Sequence, residues 1–200
     1  MANVDGAYGF ALHEDNSQSN LITCIIPASN GTATFIGDAV KLTDLDAGRI
    51  DGGPYAPAVI QAAATNPIYG IVMGFNQVLP SGQDLSRRHR PASTAMYCFV
   101  KPAHPLDVYR IQADDVAETL TAASIGCNAD IVVGSGSATT GMSAMEVDSN
   151  TAAATAGLQV RIIGFVDKPG NTPGSAQQDV LVNINQSMTF YDVGNAGVAE

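Results

Sequence analysis

The chain has 200 residues, of which 46% are hydrophobic and 14% are charged, and this length suits one domain whose core needs no disulfide bonds. Nine Lys and Arg stand against nineteen Asp and Glu, a net charge of −10. We therefore expect no nucleic-acid partner, because binding nucleic acid depends on neutralising phosphates with cations, and no attraction to an anionic membrane surface. The longest apolar runs, such as 68–75, are too short to span a bilayer. Residues 1–6 lack the basic start and apolar stretch of a signal peptide, so we expect synthesis and retention in a cytoplasm, or release by lysis.

The first twenty residues are polar, contain glycine and show no periodicity. We predict an N-terminal arm over 1–20 in which Tyr8 and Phe10 are apolar anchors. Residues 1–12 are expected to lie outside the core and to contact a neighbour, since extended segments bury little surface alone but order on binding.

Short apolar or alternating runs separated by turn signals occupy residues 21–193, which we take as one β-rich domain. The strand candidates are 21–26, 33–36, 38–42, 58–64, 68–75, 95–100, 106–112, 130–133, 158–166 and 179–185, with a weaker pattern over 143–147. Asp115 and Glu118 resemble a capping box and predict one short helix that ends near Gly126. A flexible tail is expected over 194–200. The pattern predicts a mainly β fold, an antiparallel β-sandwich or barrel of about nine or ten short strands, with one short helix and an extended N-terminal arm.

The three cysteines are odd in number and far apart, at Cys24, Cys98 and Cys127. This spacing predicts neither a disulfide framework nor a structural zinc site. Cys24 and Cys98 lie in strand-like apolar runs, so we expect both to be buried thiols.

No motif in the chain predicts catalysis or a bound cofactor. The glycines at 134, 136 and 141 do not have the order of a dinucleotide-binding loop, and Met142 stands where a P-loop needs Lys. His13, His89 and His104 lie in loop-like segments without a motif that links them to a nucleophile. We therefore predict no enzyme, no cofactor and no catalytic or metal-binding residue, although a triad assembled by the fold stays open. We assign no role to the loop 134–157.

Three of the nine cations lie close together, at Arg87, Arg88 and Arg90. Two interpretations stand side by side: a solvated loop, or an anchor that pairs with carboxylates of a partner or another subunit. The residues proposed for an interface are Tyr8, Phe10, Arg87, Arg88 and Arg90.

Four segments, in this order, resemble small structural proteins encoded with the heads of tailed bacteriophages. They are NPIYGIVMGF (66–75), RPASTA (90–95), NADIVVGSGS (128–137) and QVRIIGFVD (159–167), and the resemblance spans roughly residues 1–186. It implies a capsid decoration, or cement, protein: a β-rich structural protein of the virion that binds the outer surface of the head lattice. The implied partners are the major capsid protein and further copies of the chain, as a homotrimer, with no cofactor.

Two other functions remain open at this point. The first is a structural adaptor of the tail or neck, which copy number per particle would distinguish from a decoration protein. The second is a β-barrel hydrolase or carbohydrate-binding module, although only 6% of the residues are aromatic and none is Trp.

Overall fold

The computed structural model describes residues 3–44, 48–50, 53–76, 88–114 and 118–189. These residues form strands β1 (Ala11–Glu14), β2 (Ile22–Ile26), β3 (Ala39–Leu42), β4 (Val59–Gln61), β5 (Gly70–Asn76), β6 (Met96–Pro102), β7 (Val108–Gln112), β8 (Asn128–Ala129), β9 (Ile131–Val133), β10 (Met145–Val147), β11 (Val160–Phe165) and β12 (Asp179–Ile184). Two short 3₁₀ helices cover Ala122–Ser124 and Ser149–Thr151. No helix in these ranges is long and apolar enough to cross a membrane.

The strands build two five-stranded antiparallel sheets that pack against each other, which confirms the predicted β-sandwich. The first sheet has the order β1-β7-β12-β11-β8, and the second has the order β2-β6-β5-β3-β4. Strands β9 and β10 form a separate antiparallel pair. The described part of the chain thus holds twelve strands, rather than nine or ten, because β1 and the two-residue β8 escape detection by periodicity.

The main core lies between the two sheets. Alternate residues of β11 and β12, such as Ile162 and Val182, are fully buried because successive side chains of a strand point to opposite faces. They join Ile111 of β7 and Ile71 of β5 in one apolar cluster.

A second apolar cluster contains Cys24, Cys98, Val72 and Val100. Cys24 and Cys98 are register partners on β2 and β6, and both are free thiols with no exposed surface. Burial raises the pKa of Cys24 to about 12. The prediction that these cysteines are buried thiols is confirmed.

The expectation that residues 1–12 lie outside the core is wrong from Phe10 onward. Phe10 is 2% exposed, and its ring packs edge-on against Tyr109 with 5.9 Å between the centroids. Its N–H donates to the Gly37 carbonyl at 2.9 Å, and β1 then pairs with β7. The physical reason is the apolar area of one ring, since burying a Phe side chain stabilises a fold by about 1.5–3 kcal/mol.

The predicted short helix is also wrong where the structure describes it. Residues 115–117 lie outside the described ranges, and 118–121 are not helical. Leu120 is buried, and its carbonyl accepts a hydrogen bond from Gly174 N–H at 2.8 Å. The capping box is formed instead by Thr121 and Ser124, around the 3₁₀ turn. The predicted tail, 194–200, lies outside the described residues.

Candidate interaction site

Arg90 is fully buried and binds the backbone of its own domain. Its Nε donates to Thr94 O at 2.6 Å, and its Nη2 donates to Pro27 O at 2.7 Å and Asn30 O at 2.8 Å. Its Nη1 donates to Thr32 O. None of the ion pairs among the described residues involves Arg90, and burial lowers its pKa to about 10.

The assignment of Arg90 to an interface is therefore wrong. A guanidinium carries five N–H donors in a planar fork, and here that fork ties the turn at 27–32 to the segment that enters β6. Backbone hydrogen bonds between Arg90 and Thr34, at 2.8 and 2.9 Å, complete this connection.

Arg88 is exposed at the surface, two residues before Arg90, whereas Arg87 lies outside the described residues. Between Arg88 and Arg90, the imidazole of His89 stacks on Phe35 with 5.1 Å between ring centroids and 11° between their planes. The backbone at Arg88 also lies against Gly141, where a Cβ would come within 2.4 Å of the Arg88 Cβ. Arg88 is consequently an exposed cation whose backbone packs against Gly141.

The two aromatic residues of the predicted arm contact their own domain. Phe10 belongs to the core, so its assignment to an interface is wrong. Tyr8 is half-buried, and the Arg110 guanidinium lies 4.9 Å from the centre of its ring. Burial, followed by the charge of Asp179, raises the pKa of Tyr8 above its ordinary value.

The extended residues before Tyr8 are held by side-chain hydrogen bonds. Gln112 of β7 makes two of them, with its Nε2 donating to Val4 O at 3.1 Å and its Oε1 accepting from Gly6 N–H at 3.0 Å. This part of the predicted arm therefore lies along the surface of its own sheet.

A cleft of about 320 Å³ opens beside Phe35. Its walls are two extended segments, 32–35 and 133–136, and Gln61 of β4 completes it. The Gln61 amide donates to Asp38 Oδ2 at 3.0 Å, and burial raises the pKa of the Asp38 carboxyl to about 6. Among the described residues, those that line the cleft are all uncharged: Thr32, Ala33, Phe35, Gln61, Val133, Gly134, Ser135 and Gly136.

The glycines of this cleft have a packing role. A Cβ on Gly136 would lie 2.4 Å from the Phe35 ring, and one on Gly134 would lie 2.3 Å from Ala144 O. The two glycines thus allow the backbone to approach Phe35 and Ala144 closely. In the sequence, this loop showed only an incomplete nucleotide-binding pattern. No local pattern predicts that it lies beside Phe35.

Gln159 is a buried polar contact that sequence reasoning missed. Its Oε1 accepts from Ile131 N–H at 3.1 Å, and its Nε2 donates to Ala63 O at 3.0 Å and Asn66 O at 2.6 Å. One amide therefore joins the start of β9 to the turn before β5.

The sequence also did not predict a cluster of polar side chains around the buried Lys101. Lys101 Nζ donates to Asp15 Oδ1 at 2.5 Å and Ser19 O at 2.9 Å, and it lies 3.7 Å from Asp107 Oδ2. Asp107 in turn accepts from the N–H and hydroxyl of Ser17. The cluster fixes the turn that follows β1 and has a structural role.

Across the ranges that the structure describes, no three His, Cys, Asp or Glu side chains come together to hold a metal ion. A scan against protein-family models finds no match for the chain. Searches of curated proteins and of solved structures find no match either. The resemblance to capsid decoration proteins therefore rests on the four sequence segments alone.

Proposed function

We propose that the protein is a structural component of a bacteriophage virion that decorates and stabilises the head by binding the outer surface of the major capsid protein lattice. The observation that carries the proposal is the resemblance of the four sequence segments, two residues of which also make long-range contacts in the fold. Gln159 opens the fourth segment, and its hydrogen bonds reach Ile131 in the third and Asn66 in the first. Arg90 opens the second segment and holds the turn at 27–32. Two residues of the resembling segments, Gln159 and Arg90, thus connect parts of the sandwich that are distant in sequence.

Arg88 is the side chain that we assign to contact with the lattice. It is exposed, and the His89 stack and the Arg90 hydrogen bonds hold the residues that follow it, so pairing with a carboxylate costs mainly side-chain entropy. An exposed ion pair contributes only about 0.2–1 kcal/mol.

Attachment would therefore depend on repetition of weak contacts. Several copies on one lattice act at a high effective concentration, which multiplies modest affinities. A homotrimer on the capsid exterior, as the resemblance implies, would present three copies of Arg88 at once.

The test is binding of purified protein to heads that lack it, measured by sedimentation and quantitative gel densitometry. Arg88→Ala should bind less tightly than wild type by up to about fivefold per contact, the equivalent of 1 kcal/mol. Arg49→Ala is the matched control, because Arg49 is also an exposed arginine but lies elsewhere, over the Tyr55 ring.

The wild-type interaction should also weaken between low and high salt, since exposed charges are screened. Equal binding by Arg88→Ala and wild type at both salt concentrations would exclude Arg88 as a contact. Failure of the wild type to bind heads at all would exclude the proposed function.

A further inference from the structure

Among the described residues, strand β9 pairs along one edge with β10 and is not paired with a strand along the other. Gly134 N–H donates to Ala144 O, and Asp148 N–H donates to Asp130 O, so residues 130, 132 and 134 direct their backbone groups toward β10. Backbone groups alternate in direction along an antiparallel strand. Those of Ile131 and Val133 therefore face away from β10.

Along this second edge, the backbone N–H of Ile131 has a partner, whereas the backbone groups of Val133 have none among the described residues. Ile131 N–H is accepted by the Gln159 side chain, which acts in place of a neighbouring strand. Among the described residues, the backbone N–H and C=O of Val133 have no hydrogen-bond partner, and Val133 lines the cleft.

The opposite wall of the cleft, segment 32–35, also has backbone groups without a partner among the described residues. Thr34 exchanges both of its backbone hydrogen bonds with Arg90, so its neighbour Ala33 faces the other way. Within the described part of the chain Ala33 makes no backbone hydrogen bond, and it too lines the cleft. Two extended segments with unpaired backbone groups thus border one open space.

We propose that this cleft binds an extended peptide segment of a partner protein, which adds as a strand to the open edge of β9. Strand addition recognises its ligand through main-chain hydrogen bonds, and pockets for alternate side chains give specificity. This inference goes beyond the proposed function, because it identifies a peptide-binding site whatever protein supplies the segment.

The cleft also indicates the chemistry of that segment. Its volume of about 320 Å³ lies near the lower limit of ligand pockets, roughly 300–1,000 Å³, so a short stretch of strand fits. The lining residues that the structure describes are uncharged, and Phe35 and Val133 provide apolar surface. We therefore expect uncharged residues with small or aliphatic side chains inside the cleft.

The experiment uses random heptapeptides displayed on a library and selected against the full-length protein. Binding of the enriched peptides is then measured by fluorescence polarisation with the wild type, Val133→Pro and Val133→Ala. Proline removes the N–H that faces the cleft and is tolerated on an edge strand, whereas alanine keeps that N–H and serves as the matched control.

We expect Val133→Pro to bind about tenfold more weakly than Val133→Ala, the loss that one unmade hydrogen bond produces. In the wild type, peptide binding should slow hydrogen exchange at the amide of Val133, a measurement that stands even if Val133→Pro does not fold. Enrichment of no peptide, equal affinity for the two variants, or unchanged exchange at Val133 would overturn the inference. None of these results bears on attachment to heads through Arg88.

Discussion

Replacing Arg90 by alanine should destabilise the domain more than any other change in the arginine cluster. The substitution removes a buried guanidinium and leaves the carbonyls of Pro27, Asn30, Thr32 and Thr94 without their donor. The turn at 27–32 then loses its connection to β6.

The size of the stability loss depends on how many of the four carbonyls can bind water once the guanidinium is gone. A hydrogen bond to a charged group contributes about 1.5–3 kcal/mol, but of the four acceptor residues only Pro27 is buried, so water can reach the others. The lost hydrogen bonds and the unpaired buried carbonyl, which costs about 1–3 kcal/mol, together give an expected loss of about 3–5 kcal/mol. For a domain of this size it corresponds to a fall of about 10 °C in Tm.

Urea unfolding measures this loss, with Arg88→Ala as the control in the same loop. The exposed Arg88 should change the free energy of unfolding by no more than about 0.5 kcal/mol. Arg90→Lys should fall between the two, because an ammonium has three donors and no planar fork. A loss below about 1 kcal/mol for Arg90→Ala would refute the structural role assigned to the guanidinium.

Three further predictions concern stability. Phe10→Ala should lower the free energy of unfolding, measured with urea, by about 3 kcal/mol, because it leaves a cavity beside Tyr109. A loss under about 1 kcal/mol would show that Phe10 is not part of the core. Burial raises the pKa of Asp38 from 3.8 to about 6, so the fold favours its protonated form, and stability should fall by roughly 3 kcal/mol as pH rises from about 4 to about 6 and then level off. Thermal unfolding should show that decline in the wild type and a much flatter profile in Asp38→Asn, and equal profiles would contradict the assignment. Lys101→Met should cost about 3 kcal/mol in urea unfolding, because it leaves the buried carboxylate of Asp107 without its cation, and adding Asp107→Asn should recover part of the loss; no recovery would show that the two charges are not coupled.

The fold could be predicted from the sequence where strands are long and apolar. The runs that became β5, β6, β11 and β12 are bounded by turn residues, and the short run framed by Pro57 and Pro67 correctly indicated β4. The segment 33–36 was predicted as a strand but makes only single bridges, from Thr34 to Arg90 and from Ile36 to Met142. Its pairing depends on distant loops, which leave no periodic pattern.

The candidate site was predictable only in outline. The sequence showed three arginines together, yet the burial of Arg90 depends on carbonyls up to 63 residues away. Pro91, which follows Arg90 directly, was the one local sign that Arg90 differs from Arg88. The cleft had no signal of this kind, since its two walls are about a hundred residues apart and become neighbours only in the folded domain.

The copy number of the protein in intact particles tests the proposed function most directly. Quantitative mass spectrometry of purified virions gives the molar ratio of this chain to the major capsid protein. A decoration protein that covers the head lattice should be present at a level near that of the major capsid protein. A few copies per particle would contradict the proposal and would favour a tail or neck adaptor instead.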